Sequence, residues 1–532
     1  MFCSHGSTFN FVMQSNGHEV THIITKTMIN SNVALYTATV FSILSFFIFW
    51  TQALASQPHI LLLLVDDLGW SDVGYHGSQI KTPNVDRLAR EGVILENYYV
   101  QQYCTPTRGS LMTGRYPIHT GLQHRAILSL TPFGLPLEFS ILPEKLKDVG
   151  YRTHLVGKWH LGYYTSVSTP TYRGFDSFFG FYNYGHDHFD HTHGGFLDLF
   201  RGEKVARGYN GQYTTHLYVQ EVEKIVKEHD SSKPLFLYMA FENVHDPIQA
   251  PKKYLDKYNF IKDKDRGTYA AMMDVVDEAI GNITEVFKEK GLWNDTLVIF
   301  SSDNGGDPFY RGFNYPLRGY KRTLWEGGVK ACGFVYGQML KRKGVISRDL
   351  IHVTDWYPTL VNLAGGAIDS KPMPVDGFDV WETISSGAPS PRKELLHNID
   401  FPEKRSGLLL TYDTWYSGAA IRVGDMKLLL HVPNATWYQV PEEGGIAPDM
   451  DEIWDQKTNI VELALYNVSA DPSERYDVSP KYPNIVRHLK DRIHEYWKTA
   501  VPPGIVPEDL MALAVAMKNK AWAPWRDTCN AK

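Results

Sequence analysis

The residues best suited to chemistry in this sequence surround a single cysteine. In YCTPTRGSLMTGR, residues 103–115, Cys104 is followed by Pro106 and Arg108. Proline is favoured in the first turn of a helix, and the free N–H groups at a helix N-terminus bind anions. Arg108 would add a charge-assisted hydrogen-bond donor. The segment therefore predicts a helix that begins near Cys104 and faces an anion. The alternative is a helix-starting turn with a buried thiol.

Two pairs of polar residues, one Asp-Asp and one Asp-Asn, predict a metal site made of oxygen ligands. Asp66 and Asp67 follow the apolar run HILLLLV, and Asp303 and Asn304 follow the run TLVIFSS. Three carboxylates and one amide oxygen suit Ca²⁺ or Mg²⁺ and not a metal that prefers thiolates. A single Asp-Asp pair would more often be a turn or a helix cap, so the prediction depends on both pairs.

Ammonium and imidazole groups accompany the acidic pairs. GKWHLG carries Lys158 and His160, NVHDP carries His245, and RGYKRTLWEGG carries Lys321. A lone histidine is more often a structural hydrogen-bonding group than a catalyst. Together with the carboxylates, these side chains form a set suited to acid–base catalysis and to neutralising an anion.

Two other polar segments have weaker functional signals. GHDHFDHTHGG, residues 185–195, contains four histidines and could be interpreted as a transition-metal site. Its spacing matches no closed ligand motif, so we expect it to form the rim of a substrate pocket instead. PEEGGIAPDMDEIWD, residues 441–455, is expected to be an acidic surface loop.

Four apolar runs predict the elements that position these groups. HILLLLVDD, YRTHLVGKWH, PLFLYMAFENVH and TLVIFSSDNGG are each too short for a helix and end in polar residues. NVDRLAREG and AAMMDVVDEAIGNITEVFKEKG have helical periodicity. The alternation predicts an α/β fold with a mostly parallel sheet between helices. Its ligand site should lie where the carboxyl ends of the strands meet.

Length and composition limit the possible functions. The chain has 532 residues, 43% of them hydrophobic, and a formal net charge of −6. It can bury a large core, and its scattered lysine and arginine residues argue against a nucleic-acid surface or a polybasic membrane patch. A small-residue, proline-bearing stretch at 385–395 predicts a catalytic domain over 56–388 and a smaller α+β domain over 389–532.

The N-terminal residues 1–55 predict a secretory signal peptide. An apolar run ending at Trp50 precedes Ala53-Leu54-Ala55, so we expect cleavage after Ala55. Initiation at Met28 and an uncleaved membrane anchor are the alternatives. Four N-glycosylation sequons agree with a secretory route. They begin at Asn282, Asn294, Asn434 and Asn467.

Cysteine usage is sparse for a secreted chain. Cleavage would remove Cys3 and leave Cys104, Cys332 and Cys529. Cys332 lies in GVKACGFVYG, a pattern typical of a buried strand, where cysteine acts as a small hydrophobic residue. If Cys104 takes part in chemistry and cannot pair, at most one disulfide, between Cys332 and Cys529, can form.

These motifs resemble those of the formylglycine-dependent sulfatases, and most of all the arylsulfatase B group. CTPTRGSLMTGR is similar to the sulfatase signature, with Met112 where leucine is usual. LLLLVDDLGWSDVGYHG, GKWHLG, HDPIQAPKKY, PLRGYKRTLWEGG and LYNVSADPSERYDVS match in order and spacing, from about His59 onward. Members of that group usually carry several disulfides, which this chain cannot form. The resemblance implies an alkaline-phosphatase-like fold with a smaller C-terminal domain.

The resemblance also implies a cofactor and a modification. Cys104 would be oxidised to Cα-formylglycine by the formylglycine-generating enzyme and hydrated to a geminal diol. One Ca²⁺ would be held by Asp66, Asp67, the modified Cys104, Asp303 and Asn304. The implied catalytic residues are Cys104, Arg108, Lys158, His160, His245 and Lys321.

The implied roles follow from what sulfate-ester cleavage requires. A hydroxyl of the Cys104-derived diol would attack sulfur, while Lys158 and Lys321 neutralise the sulfuryl group and the departing oxygen. His245 would protonate the leaving alcohol, and His160 would help to regenerate the aldehyde. A phosphatase of the same fold class would be expected to use two metal ions and a serine or threonine nucleophile.

Likeness to the arylsulfatase B group implies release of the 4-sulfate from N-acetylgalactosamine ends of dermatan or chondroitin sulfate. Phe175, Phe179, Tyr182 and Tyr184 could stack on a sugar, or else pack in the core. The alternatives are a sulfatase for small sulfated glycosides or aryl sulfates and a non-catalytic binder of sulfated glycans. We expect a lysosomal or secreted enzyme with no nucleic-acid partner and no stable membrane association once the signal is cleaved.

Overall fold

The computed structural model describes residues 57–369, 371–400, 418–441 and 459–527, together with residues 445, 448, 452 and 456. The predicted signal peptide, most of the acidic segment 441–455 and Cys529 lie outside the described residues. Among the residues that are described, none of the helices is long and apolar enough to cross a membrane.

The strands are numbered here in chain order. They are β1 (His59–Val65), β2 (Val93–Leu95), β3 (Tyr98–Tyr99), β4 (Arg152–Lys158), β5 (Ser177–Phe181), β6 (Thr192–His193), β7 (Phe196–Leu197), β8 (Phe200–Arg201), β9 (Lys204–Val205), β10 (Leu235–Ala240), β11 (Thr296–Ser302), β12 (Gly333–Tyr336), β13 (Val345–Ser347), β14 (Ile351–His352), β15 (Glu394–Asp400), β16 (Gly418–Val423), β17 (Met426–Pro433) and β18 (Ile460–Asn467).

The α-helices are numbered in the same way. They are α1 (Pro83–Glu91), α2 (Cys104–Thr113), α3 (Pro117–Thr120), α4 (Leu142–Asp148), α5 (Thr214–Glu228), α6 (Lys252–Leu255), α7 (Lys264–Glu289), α8 (Glu326–Val329), α9 (Trp356–Leu363), α10 (Trp381–Ser386), α11 (Pro483–Thr499) and α12 (Met511–Asn519).

A ten-stranded mixed sheet forms the centre of the larger domain. Its order is β13-β2-β12-β11-β1-β10-β4-β5-β8-β9. The four strands that the apolar runs predict, β11, β1, β10 and β4, are neighbours and run parallel. The antiparallel pairings lie toward the two edges, between β11 and β12, β12 and β2, β5 and β8, and β8 and β9. The predicted α/β fold with a mostly parallel sheet is confirmed.

Helices cover both faces of this sheet. All seven residues of β1 are buried, as expected for a parallel strand between two helical layers. Leu61 and Leu63 belong to the core on one face, which α7 covers with residues such as Ile280. Leu62 and Leu64 belong to the core on the other face, which includes Leu111 of α2. The site at the strand ends is therefore anchored in two separate cores.

Cys332 directly precedes β12 and is a fully buried free thiol. Its sulfur lies 3.5 Å from the carbonyl oxygen of Gly69. The prediction that it acts as a small core residue is confirmed.

A second, antiparallel sheet follows residue 393 in the order β15-β16-β17-β18. Leu489 and Ile493 of α11 pack against one face of it. On the other face, Leu395 and Leu429 pack with Trp325 of the larger domain. This sheet and helix give the smaller α+β unit that the sequence predicts.

The last described residues return to the larger sheet. Trp522 and Trp525 pack into one of its two cores, and Leu197 accepts a backbone hydrogen bond from Trp522 at 3.0 Å. A domain boundary at 388/389 therefore stays a prediction, since the chain beyond it contributes to both units.

A buried ionic cluster joins the two sheets. Lys427 of β17 places its Nζ 2.9 Å from a carboxylate oxygen of Glu326 and 2.9 Å from one of Glu474. The hydroxyl of Tyr99 donates to the other oxygen of Glu326 at 2.7 Å. The side chains of Lys427, Glu326 and Glu474 are all at most 1% exposed.

Replacing Lys427 with methionine should lower the free energy of unfolding by about 3–5 kcal/mol, because it leaves two carboxylates buried without their cation. Chemical denaturation should reveal the loss. Replacing Lys341 with methionine is the matched control: this lysine is 63% exposed and pairs only with exposed Glu382. Its substitution should change stability by less than about 0.5 kcal/mol. Equal effects of the two substitutions would contradict the role given to the buried cluster.

Candidate active site

The carboxyl ends of three of the four central parallel strands bring the polar residues together. Asp66 and Asp67 follow β1, Asp303 and Asn304 follow β11, and Lys158 is the last residue of β4. All five side chains are at most 2% exposed. The parallel register of β1 with β11 places Val65 opposite Ser302, so the two acidic pairs leave the sheet side by side.

Cys104 is the first residue of α2, as the sequence predicts, and is 1% exposed. Its sulfur lies 3.4 Å from Asp66 Oδ1. Burial and the nearby charge of Asp66 raise the pKa of the thiol well above its usual value. An unmodified Cys104 would therefore stay protonated and would be a poor nucleophile.

Arg108 lies about one helical turn after Cys104 in α2, and its side chain is buried. Its Nη2 and Nε donate to Asp303 Oδ2 at 2.8 and 3.2 Å. Burial and the nearby charge of Asp66 raise the pKa of Asp303 to about 6, against the opposing charge of Arg108. Arg108 and Asp303 therefore form one buried pair that links the helix to the end of β11.

Lys158 and Lys321 each bind one carboxylate of the first acidic pair. Lys158 Nζ lies 2.5 Å from Asp66 Oδ2, and Lys321 Nζ lies 2.6 Å from Asp67 Oδ2. Burial alone would raise the pKa of Asp66, but the charges of Lys158 and its other cationic neighbours outweigh it and hold the pKa far below its usual range. The site thus combines several cations and carboxylates, and all of these side chains are buried.

The two histidines of the set have defined orientations. His160 Nε2 lies 3.0 Å from the carbonyl oxygen of Ile127, so this nitrogen carries the hydrogen. Nδ1 has no hydrogen-bond partner among the described residues and can accept a proton. Burial and the charge of Lys158 lower the pKa of His160 well below its usual value. His245 holds its Nδ1 2.7 Å from the carbonyl oxygen of Asp246, and its Nε2 lies 3.8 Å from Asp67.

Asp67 and His160 have φ angles of 56° and 54°, in the left-handed region that non-glycine residues rarely adopt. Such backbone strain is found mostly at functional sites, where the surrounding structure holds it in place. Asp67 lies just after the end of β1, and His160 lies just after the end of β4.

Four side chains of the site are close enough together to hold a metal ion. Asp66, Asp67, Cys104 and His245 offer ligand atoms that all lie within 4.8 Å of one another. Asn304 donates its Nδ2 hydrogen to Asp67 at 2.8 Å, whereas its buried Oδ1 has no hydrogen-bond partner in the part of the chain that the structure describes. A buried, unpaired amide oxygen beside two carboxylates is a ready ligand for Ca²⁺ or Mg²⁺.

Most histidines of the histidine-rich segment are buried, and its role as the rim of a substrate pocket stays a prediction. His186, His188 and His191 are buried, and Glu242 Oε2 lies 3.1 Å from His186 Nε2 and 3.6 Å from His188 Nδ1. Of the four histidines, only His193 is partly exposed, although Asp187, Phe189, Asp190 and Thr192 of the same segment are also partly exposed. Within the described residues, this segment contributes no group of three ligand atoms close enough to hold a metal ion.

The aromatic residues that could have stacked on a sugar are mostly core residues. Phe175, Phe179 and Tyr182 are at most 2% exposed. Tyr184 is partly exposed, and its ring lies 6.2 Å from that of His160. Of these four, Tyr184 alone can contact a substrate.

Sequence reasoning missed the contacts that hold His160 in place. Thr105 donates its hydroxyl to the carbonyl oxygen of His160 at 3.1 Å and accepts the backbone N–H of Ile127 at 3.2 Å. Thr105 follows Cys104 directly, so its side chain connects the start of α2 to the histidine. The threonine is visible in the motif, but nothing in the sequence indicates that Ile127 is its partner.

Comparison with known proteins agrees with this arrangement. The family model described as sulfatase matches residues 58–367, more than half of the chain. The chain belongs to the sulfatase family. Sulfatases depend on formylglycine and generally use a metal ion. The matched range includes the residues that meet at the strand ends.

Individual sulfatases resemble this one over most of its length. Mouse arylsulfatase J is 46% identical over 493 residues, covering 90% of this chain and 82% of its own. Rat N-acetylgalactosamine-6-sulfatase is 29% identical over 476 residues, covering 84% and 86%. The crystal structure of Ps i-CgsB superposes with a TM-score of 0.73 at 28% identity and covers 90% of this chain and all of its own. The same protein has a structure in complex with k-i-k-neocarrahexaose (TM-score 0.72, 27% identity, 90% of this chain and all of its own).

Proposed function

We propose that this sulfatase removes the 4-sulfate from N-acetylgalactosamine ends of dermatan or chondroitin sulfate, with formylglycine at position 104 and one Ca²⁺. The observation that carries the chemistry is the position of Cys104, at a helix N-terminus 3.4 Å from Asp66 and within a ring of buried cations. Such a ring is suited to a sulfate ester, which carries its charge on oxygens around the reacting sulfur.

In the first step, one hydroxyl of the hydrated residue 104 reacts in its deprotonated form: its oxygen forms a bond to sulfur, and the bond from sulfur to the alcohol oxygen breaks. His245 protonates the departing oxygen through Nε2, because its Nδ1 is committed to the carbonyl oxygen of Asp246. Lys158 and Lys321 stabilise the negative charge that develops on the sulfuryl group and on the leaving oxygen.

In the second step, the remaining hydroxyl of residue 104 loses its proton, the C=O double bond forms again and sulfate leaves. His160 is suited to accept this proton because its Nδ1 has no other partner and its ring is kept neutral by burial and nearby cations. This step requires two hydroxyls on one carbon, which explains why an ordinary serine could not turn over.

A Ca²⁺ bound by Asp66, Asp67, Asp303, Asn304 and residue 104 would supply positive charge to the sulfate oxygens and to the nucleophile. The all-oxygen character of the aspartate and asparagine ligands favours Ca²⁺ over Zn²⁺. A cation on Asp66 and Asp67 would compete with Lys158 and Lys321 for these carboxylates and so leave both ammonium groups to interact with the sulfate.

A glycan substrate is supported by the relatives and by Tyr184. Rat N-acetylgalactosamine-6-sulfatase is named for a sulfated N-acetylgalactosamine, and Ps i-CgsB binds a neocarrahexaose. Tyr184 is partly exposed beside His160 and can stack on a sugar ring. The 4-position rests on the likeness of the sequence motifs to the arylsulfatase B group.

Sulfate release from three substrates tests the assignment. We expect the highest kcat/KM on a chondroitin 4-sulfate oligosaccharide with a terminal N-acetylgalactosamine-4-sulfate, a value at least about 10-fold lower on its 6-sulfate isomer, and measurable turnover of 4-methylumbelliferyl sulfate, whose phenolate leaves easily. A tenfold ratio corresponds to the loss of about one hydrogen bond in the transition state. Turnover of the aryl sulfate without release from either oligosaccharide would reject the glycosaminoglycan assignment and leave the sulfatase chemistry intact.

We also propose that the protein enters the secretory pathway and acts in the lysosome or outside the cell. The formylglycine-generating enzyme would oxidise Cys104 during maturation. Asn282 and Asn294 are exposed, as glycosylation requires. Asn434 accepts a hydrogen bond from Arg318 at 2.6 Å and Asn467 caps a turn, so these two are less available.

A further inference from the structure

A pocket lies between the loop 121–133 and the C-terminal segment 504–506. Leu122, Ile127 and Phe133 give it an apolar lining. The two segments are joined by a backbone hydrogen bond of 2.8 Å from Gly504 N–H to the carbonyl oxygen of Gly121. Both segments therefore form walls of the pocket, and this hydrogen bond links them.

This pocket shares a wall with the candidate active site. Ile127, which lines the pocket, accepts the hydrogen bond of His160 through its carbonyl oxygen and donates its N–H to Thr105. Thr105 is adjacent to Cys104 in the chain. A substituent held in the pocket would therefore lie next to the residues that we propose act on the sulfate ester.

Arg125 gives the pocket an uncompensated positive charge. It lines the pocket and is partly exposed, and its guanidinium has no hydrogen-bond or ion-pair partner among the described residues. The other ionisable residue of the lining, His124, is paired: its Nδ1 lies 2.6 Å from Asp400 Oδ2. None of the residues that line the pocket is acidic.

We propose that Arg125 binds a second anionic group of the substrate, a carboxylate or a further sulfate, beside the sulfate ester that is cleaved. The proposal rests on the sulfatase activity proposed above and narrows its substrates to those with at least two anionic groups. A guanidinium in apolar surroundings favours an anion strongly, and its planar fork matches carboxylate and sulfate oxygens alike. Arg125 would then be a specificity-determining residue and not a catalytic one.

The test compares Arg125→Gln with the unaltered enzyme on three substrates. These are a chondroitin 4-sulfate disaccharide with its uronate carboxylate, a disulfated N-acetylgalactosamine and 4-methylumbelliferyl sulfate, which has a single anionic group. We expect kcat/KM to fall about 10- to 100-fold, mainly through KM, on at least one of the first two, as for loss of a charged hydrogen bond. Turnover of the aryl sulfate should change less than about 3-fold. Arg125→Lys should recover part of the loss.

Arg487→Gln is the matched control, because Arg487 is an exposed arginine on α11 and its replacement removes the same charge from the chain. A loss confined to the uronate substrate identifies a carboxylate site, and a loss confined to the disulfated sugar identifies a sulfate site. Equal losses on all three substrates, or no loss on either dianionic one, would overturn the proposal.

Failure of the sulfatase assignment can be separated from failure of this proposal. If the unaltered enzyme releases no sulfate from any of the three substrates, the proposed activity is wrong. Calorimetric binding of the two dianionic sugars to Cys104→Ala protein, with and without Arg125→Gln, then tests the pocket directly. Unchanged affinity for both sugars in the double variant would reject a role for Arg125.

Discussion

Replacing Cys104 with alanine should abolish turnover, with a fall in kcat on the order of 10⁶-fold, the scale of losing a covalent nucleophile. Cys104 is buried at the start of α2, and its thiol is held protonated by burial and by Asp66. In the proposed mechanism, catalysis therefore depends on conversion of this residue to the hydrated aldehyde. Replacing Cys104 with serine should allow at most one event, because the serine sulfate has no second hydroxyl to expel sulfate.

Mass spectrometry of the peptide that contains Cys104 supplies the direct readout. We expect formylglycine in enzyme made in a eukaryotic host, and one retained sulfuryl group per chain in the serine variant after exposure to substrate. Cys332 is an internal control, because it is equally buried and a free thiol but lies outside the motif. Active enzyme in which Cys104 is only an unmodified thiol would disprove the mechanism.

The parallel strands and their polar ends could be predicted because both signals are local. Each run is uniformly apolar, since a parallel strand is buried on both faces, and each ends where the chain leaves the sheet. The long helix α7 was also predictable, although it begins at Lys264, six residues before the predicted start. Asp263 causes this early start, because its carboxylate accepts the N–H of Arg266 at 3.0 Å and caps the helix.

The surroundings of the site could not be predicted because they depend on contacts far apart in sequence. The rings of His193 and Trp522 lie 5.9 Å apart, although they are separated by most of the chain. Leu197 receives its hydrogen bond from the same C-terminal segment. Such contacts decide which histidines and aromatic residues of the 175–195 segment are buried, and periodicity carries no information about them.

The pairing of charges within the site was equally hidden. The sequence indicates that Asp303 is a metal ligand but not that both nitrogens of the Arg108 fork bind it. Its removal would leave a buried guanidinium without its partner, so Asp303→Ala should cost stability as well as activity. A test of the metal site therefore needs a proposed ligand that does not also pair with a buried charged group.

Removing the metal should lower kcat by about 10³-fold or more, since a metal ion contributes several kcal/mol of charge stabilisation to such a transition state. Dialysis of the purified enzyme against a chelator, followed by addition of Ca²⁺ or Zn²⁺, tests this. We expect Ca²⁺ to restore activity at one equivalent per chain and to raise the melting temperature, because it binds the folded state alone. Stoichiometric zinc without calcium in the purified enzyme would contradict the assignment.

Asn304→Ala locates the ion within the site. Its Oδ1 has no hydrogen-bond partner among the residues that the structure describes, so the substitution removes a proposed metal ligand at the cost of two hydrogen bonds donated by Nδ2. We expect a weaker affinity for Ca²⁺ and a partial recovery of kcat at high Ca²⁺ concentration. Asp72→Asn is the matched control: Asp72 is a buried carboxylate 2.7 Å from Arg266 and is not part of the metal cluster. It should lose stability without any change in calcium affinity. If Asn304→Ala binds calcium as tightly as the unaltered enzyme, the ion lies elsewhere.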